Sequence, residues 1–347
     1  MLEYINCKCE IIKNFSPAWF ASVMGTGILA ITSLFYSQYF GILYLLAKIL
    51  FILNIAMFAI LLIPWLLRWI IFTDKALSDL NHPIVSNFYP TMSVGMLVLA
   101  SDFLLIGKEK LTAEIFWLCG TLLTVIFSFL IPYITFKENH VKIDHINPAW
   151  FIPPVALIVI PIAGSQFIGK SQSFLEQLFV FINYYGWGSG FFIYLALLSI
   201  CMYRFILHNP LPNTLAPTIW INLGPIGAGT VSLINLINKS IFISMREPFW
   251  VFGLIFWGFG VWWFFIAVIM TLHYVRKLKL PYAMSWWAFT FPLGAYVASS
   301  HLVSTIFKIR IIDYFGFMLY FLLLGIWSIT FIRTLCNAYK GILFADG

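Results

Sequence analysis

The chain has 347 residues, of which 62% are hydrophobic and 10% charged, whereas about a quarter of an ordinary soluble domain is charged. That balance excludes a soluble globular protein and predicts a polytopic all-α membrane protein. The net charge of +7 is spread over the segments between apolar stretches. It forms no basic stripe for nucleic acid and reads as topology and attraction to an anionic leaflet.

Residues 1–16 carry Glu3, Lys8, Glu10 and Lys13 without an apolar core, and read as a cytoplasmic segment rather than a cleavable signal peptide. Residues 17–340 read as one transmembrane domain and 341–347 as a cytoplasmic tail. Crossing about 30 Å of hydrocarbon takes about 20 apolar residues as a helix. Ten such stretches are predicted, at 17–36, 42–70, 84–106, 113–136, 148–169, 175–205, 213–238, 247–274, 282–306 and 313–339. Pro17, Pro83, Pro148, Pro217 and Pro281 fall 66, 65, 69 and 64 residues apart, each at or near the start of an odd-numbered stretch. Pro-Ala-Trp-Phe occurs at 17–20 and again at 148–151. The chain therefore reads as five copies of a two-helix unit, each opening with a proline in the first helical turn, where its missing N–H has no partner to lose.

An even number of spans leaves both termini on one side. Twelve of the 20 lysines and arginines lie on that side, which predicts cytoplasmic termini by the positive-inside rule and a cell-membrane protein, plasma or inner. Odd and even spans differ in composition. Among interior prolines, Pro90, Pro153, Pro154, Pro161, Pro225 and Pro292 are in odd spans, against Pro64 and Pro132 in even ones. Freed carbonyls are tolerated in a bilayer only where protein or water satisfies them, so odd helices are expected inside, around a wet interior, and even helices against lipid. The candidates to line a pore or kink a helix are Gly25, Thr26, Gly27, Pro90, Pro154, Pro161, Asn222, Gly224, Pro225, Gly227, Pro292 and Gly294. Glycines on these helices serve either an open lumen or close packing. Because an even helix returns the chain each time, all five odd helices run the same way, and their N-terminal dipole ends favour anions at the cytoplasmic mouth.

Phe289 and Phe291 are two residues apart, about 200° around a helix, so only one of them can face a lumen. Next to Pro292, expected to bend the helix by freeing the carbonyl of Ala288, such a ring is either a hydrophobic plug or core packing. His301, amid Ser299, Ser300 and Ser304, is the deepest possible titratable pore residue, or an interfacial histidine. Asp102, Glu114, Glu176, Glu247 and Asp313 fall at predicted helix ends. No mid-membrane carboxylate is then left for a proton relay, which favours conduction or facilitated transfer over coupled pumping. No catalytic constellation, metal site or cofactor motif is found. Cys7-Lys8-Cys9 lacks a second pair, and His82, His140, His145 and His208 read as loop residues.

Pro17-Ala18-Trp19-Phe20-Ala21-Ser22-Val23-Met24-Gly25-Thr26-Gly27, His82-Pro83, the run Ala216 to Gly227 and Trp287-Ala288-Phe289-Thr290-Phe291-Pro292 resemble the tellurite-resistance/dicarboxylate transporter family. That family includes plant slow anion channels, malate transporters and sulfite exporters, and the resemblance covers nearly the whole chain. It implies ten transmembrane helices as five helical hairpins around a central pore, odd helices inner and even helices outer, assembled in the bilayer as a homotrimer. It also implies a channel or transporter for small inorganic or organic anions. A phenylalanine of the ninth helix occludes the pore in channel members; the Thr-Phe-Pro match puts it at Phe291, and a two-residue shift would make it Phe289. The alternative is a secondary transporter of C4-dicarboxylate such as malate, or of sulfite, with protons passing by way of His301.

Overall fold

The computed structural model describes residues 8–137, 141–169 and 173–344. Cys7, His140 and the ends of the two predicted terminal segments, 1–7 and 345–347, lie outside them. Among the described residues the chain is helical, with no strand. The long helices, in order, are α1 (Pro17–Tyr36), α2 (Ile42–Ile71), α3 (Val85–Gly107), α4 (Lys110–Lys137), α5 (Pro148–Phe167), α6 (Phe174–Leu207), α7 (Asn213–Lys239), α8 (Glu247–Leu278), α9 (Thr290–Phe307) and α10 (Arg310–Lys340). Among the described residues, nine of these are long and apolar enough to cross a membrane. The exception is α9, which is 18 residues long and whose apolar run is broken by Ser299, Ser300, His301, Ser304 and Thr305.

Of the five repeated prolines, Pro17 and Pro148 open a helical turn, Pro217 lies inside one, and Pro83 and Pro281 stand before theirs. Each odd-numbered helix is entered through a 3-10 stretch, at Pro17–Phe20, Val85–Phe88, Pro148–Phe151, Asn213–Asn222 and Met284–Phe289. In the two Pro-Ala-Trp-Phe copies a side chain precedes the proline and caps the turn. Ser16 Oγ accepts from the Ala18 N–H at 3.2 Å and Asn147 Oδ1 from the Ala149 N–H at 2.9 Å. That satisfies a donor which the tight first turn leaves free.

Burial separates the two sets of helices. In the apolar windows of α1, α3, α5 and α7, 67–89% of residues are buried, against 22–33% in α2, α4, α6, α8 and α10. In α9 every residue from Thr290 to Ser300 is buried. The inner helices touch in chain order, α1 to α3, α3 to α5, α5 to α7 and α7 to α9, and α9 returns to α1. Each even helix packs on the odd helix before it and turns side chains such as Ile52, Ile60 and Ile70 outward. Indoles fasten the outer helices to the inner ones. Trp117 donates to the Ile160 carbonyl at 3.0 Å, Trp187 to that of Gly229 at 3.1 Å and Trp263 to that of Ile219 at 2.9 Å. Bulk and a polar tip make tryptophan suited to this: the ring packs while the N–H finds a partner.

At the end of α2, Arg68 is buried, donates from Nε to the Lys13 carbonyl at 3.0 Å and pairs with Asp79 in the short helix Thr73–Leu80. Removing one partner of a buried pair leaves an uncompensated charge and costs about 3–5 kcal/mol. Because Asp79 is partly exposed, Asp79→Asn is expected to cost about 3 kcal/mol, read as a lower melting temperature in detergent; an unchanged melt would show the pair to be dispensable.

Candidate functional site

The five inner helices enclose two cavities. The upper one, about 680 Å³, is bordered by their C-terminal halves, with Ile31 of α1, Ser101 of α3, Gln166 of α5, Asn235 of α7 and His301 of α9 among its walls. The lower one, about 40 Å³, is bordered by their N-terminal halves, including Met24, Thr91, Val155, Gly224 and Pro292. Among the described residues, Phe291 is the only one that borders both. Phe289 borders neither: it is buried edge-on against Trp220 at 5.4 Å and Trp286 at 5.9 Å.

The upper cavity is walled mainly by aliphatic side chains, and its charged members are Lys108 and Lys110. Among the described residues, no carboxylate borders either cavity. Lys108 closes α3 in the left-handed conformation, φ 61°, and Lys308 closes α9 the same way, φ 56°. Cations at helix C-termini offset the negative dipole end. His301 stacks on Phe35 at 5.2 Å, and its Nδ1 lies 3.0 Å from Asp313 Oδ1 on α10. Tyr39, between α1 and α2, donates to Asp313 Oδ2 at 2.5 Å. That bond, with burial adding to it, pushes the phenol up to about 12, so the hydroxyl keeps its proton at physiological pH.

Of the other residues expected at a lumen, Gly224 and Pro292 border the lower cavity and the rest border neither. Thr26 turns outward, accepting from Trp327 of α10 at 3.0 Å. Gly25 lies against Thr290 and Trp287, Gly294 against Ile28, and Gly227 against the backbone of Ala295 and Tyr296. These glycines serve helix contact, the second of the two roles open to them. Asn222 is fully buried, borders neither cavity, and faces the Tyr194 hydroxyl of α6. Pro90 opens the α-helical part of α3. Pro154, Pro225 and Pro292 fall in the first α-helical turn of α5, α7 and α9, each directly after a 3-10 stretch. The change from 3-10 to α-helix thus lies between Phe289 and Thr290, next to Pro292. Pro161 alone of this set sits inside a helix.

Three features escaped the sequence reading. Lys108 and Lys110 read as loop charges yet border the upper cavity. Asp102 read as a helix-end residue, but it is fully buried, and Asn54 of α2, also fully buried, donates to its Oδ2 at 2.9 Å. The signal was present in the run Val98-Leu99-Ala100-Ser101-Asp102-Phe103-Leu104-Leu105-Ile106: a carboxylate with apolar sequence on both sides is not at an aqueous end.

A family model described as voltage-dependent anion channel matches residues 14–335. Among curated proteins, the chain is 58% identical over 344 residues to an uncharacterised transporter of Methanocaldococcus jannaschii, covering 99% of both. It is 26% identical over 354 residues to a sulfite efflux pump of Arthroderma benhamiae, covering 96% of this chain and 93% of that one. It is also 26% identical over 312 residues to a malic acid transport protein of Schizosaccharomyces pombe, covering 82% and 70%.

Proposed function

The chain belongs to the voltage-dependent anion channel family and is a multi-pass membrane protein, and on that premise we propose that small anions pass along the axis of its five inner helices, with Phe291 as the occluding ring. The observation that carries this reading is the shared border: two cavities along one axis meet at a single side chain, Phe291. A hydrophobic constriction of this kind blocks ions by excluding water and opens when the ring moves. In this reading α9 is a tenth span, with Ser299 and Ser300 buried and His301 held by Asp313 of α10, and the helices form five hairpins around the lumen. One such domain fills residues 17–340, and both termini are cytoplasmic. The resemblance noted above supports a homotrimer with one lumen per chain.

Lys108 and Lys110 give the upper mouth its sign. Among the described residues no arginine borders the cavities to clamp a carboxylate bidentately, which favours small ions held weakly. Neutralising both lysines, Lys108→Gln with Lys110→Gln, is expected to slow anion flux about tenfold at low ionic strength, and less at about 0.5 M salt, where their field is screened. Equal loss at both salt concentrations would contradict steering by these charges.

A second reading, a secondary transporter of sulfite or malate, is favoured by the similarity to proteins named for those substrates. A flux panel of chloride, nitrate, sulfite and malate into liposomes containing the full chain tests the function. Passage of one or more of these is expected, and passage of none would overturn it.

A further inference from the structure

Asp102 is 0% exposed, and so is Asn54. They meet where α1, α2 and α3 come together: a Cβ built on Gly27 of α1 would lie 2.6 Å from Asn54 Nδ2, 2.7 Å from Asp102 Oδ2 and 2.5 Å from Val98. The close approach of Gly27 thus seals the pair from the α1 side. No cation compensates the carboxyl, which forms no ion pair among the described residues. The charged groups of the helices packed around it are engaged elsewhere. On α2, Lys48 lies over the Tyr44 ring at 4.5 Å and Arg68 holds Asp79. Lys108, which follows α3, and Lys110, which opens α4, border the upper cavity, and α1 carries no charged side chain.

An isolated carboxylate without water or a counter-ion is far costlier to bury than its neutral acid. The amide of Asn54 can serve both forms. Its N–H donates to the ionised carboxylate, and a half-turn of the same amide offers its carbonyl to a carboxylic O–H. Asp102 Oδ1 and Asn54 Oδ1 have no other partner, too few oxygens to replace the shell of a hard metal cation. Ser101, the neighbour of Asp102 in the chain, borders the upper cavity, so the helix turn that carries the carboxyl also faces the proposed anion path, while the carboxyl itself is turned toward α1 and α2.

We propose that Asp102 and Asn54 form a proton-binding site that couples anion movement to a proton gradient. Asp102 holds a proton as the neutral acid; in each cycle the O–H bond breaks, the proton leaves by way of the cavity, Asn54 donates to the carboxylate left behind, and a proton from the other side restores the acid. This inference rests on the anion-transport reading and adds to it a driving ion and a residue.

The test uses the full chain in liposomes held at zero membrane potential, with nitrate and chloride, which do not titrate, as probes. One proton moved with each anion makes a gradient of one pH unit worth about tenfold in accumulation. The parent is expected to approach that ratio. Asp102→Asn keeps the shape and a hydrogen bond but cannot release a proton; it is expected to let the anion equilibrate without accumulating it. A parent indifferent to the pH gradient, a variant that accumulates like the parent, or accumulation driven by a sodium gradient instead would each overturn the proposal. Infrared spectra supply an arm independent of flux and of the variant's folding. A carboxylic-acid carbonyl band is expected in the parent at about pH 8, where exposed carboxyls are ionised; its absence would overturn the proposal even if anions pass. Absence of all anion flux with the band present would instead refute the transport reading and retain the proton site.

Discussion

Replacing Phe291 with alanine is expected to raise anion flux through the reconstituted protein by tenfold or more. The ring is nearly fully buried and is the one side chain common to the two cavities, so its removal joins them and lets water bridge the constriction. The cost is stability: truncating a buried phenylalanine typically loses about 3–5 kcal/mol, less here because the site is already bounded by open space. Phe291→Leu is expected to fall between parent and alanine in flux. Phe289→Ala provides the contrast. Its ring fills the angle between Trp220 and Trp286, so the same truncation is expected to destabilise by about 3–5 kcal/mol without raising flux. If Phe289→Ala opened the pathway and Phe291→Ala did not, the roles of the two rings would be reversed.

Gly227→Ala is expected to prevent the inner helices from closing. A Cβ there would lie 2.4 Å from the Ala295 carbonyl carbon and the Tyr296 nitrogen, which are backbone atoms that no rotamer change can move. α7 and α9 would have to separate. Overpacking in a well-packed core costs about 1–3 kcal/mol where side chains can yield, and here the obstacle is a helix axis, so the loss is expected at or above that range. Gly227→Leu is expected to abolish folded protein. Gly258→Ala on α8 is the control, because nothing lies within 4 Å of its Cβ; there the alanine is expected to stabilise by about 0.5–1 kcal/mol through helix propensity. Thermal shifts monitored by size exclusion in detergent distinguish the two. Similar melts for the two alanine variants would contradict the close α7 to α9 crossing.

Much of this architecture was legible because a bilayer simplifies the problem. Twenty-residue apolar runs announce helices, and among the described residues nine are long and apolar enough to cross a membrane; the recurrence of Pro17, Pro83, Pro148, Pro217 and Pro281 suggested a two-helix unit. The inner position of the odd helices followed from where proline and glycine are tolerated in lipid, and the burial of α1, α3, α5 and α7 agrees with it. Local geometry was harder to read. That Pro17 and Pro148 sit in 3-10 turns depends on Ser16 and Asn147 reaching back to cap them. That Pro292 falls just after a 3-10 stretch depends on where the α-helix begins, a boundary hydropathy does not mark. Which glycines meet a neighbour and which face space is decided by the rotation of each helix, and no periodicity separated Gly224, at the lower cavity, from Gly227, three residues on against α9. Asp102 was misplaced for a related reason: its partner, Asn54, is 48 residues away on another helix, so the sequence around either shows only half of the pair.

Current through the alanine variant of Phe291 in a planar bilayer, under a tenfold potassium nitrate gradient, tests most directly whether anions use this path. With the constriction removed, nitrate is expected to pass without a coupled proton, and the current to reverse at nitrate's equilibrium potential, about 59 mV from zero for a singly charged ion. Reversal at the equal and opposite potassium potential, or no current from the folded variant, would contradict an anion pathway through the five inner helices.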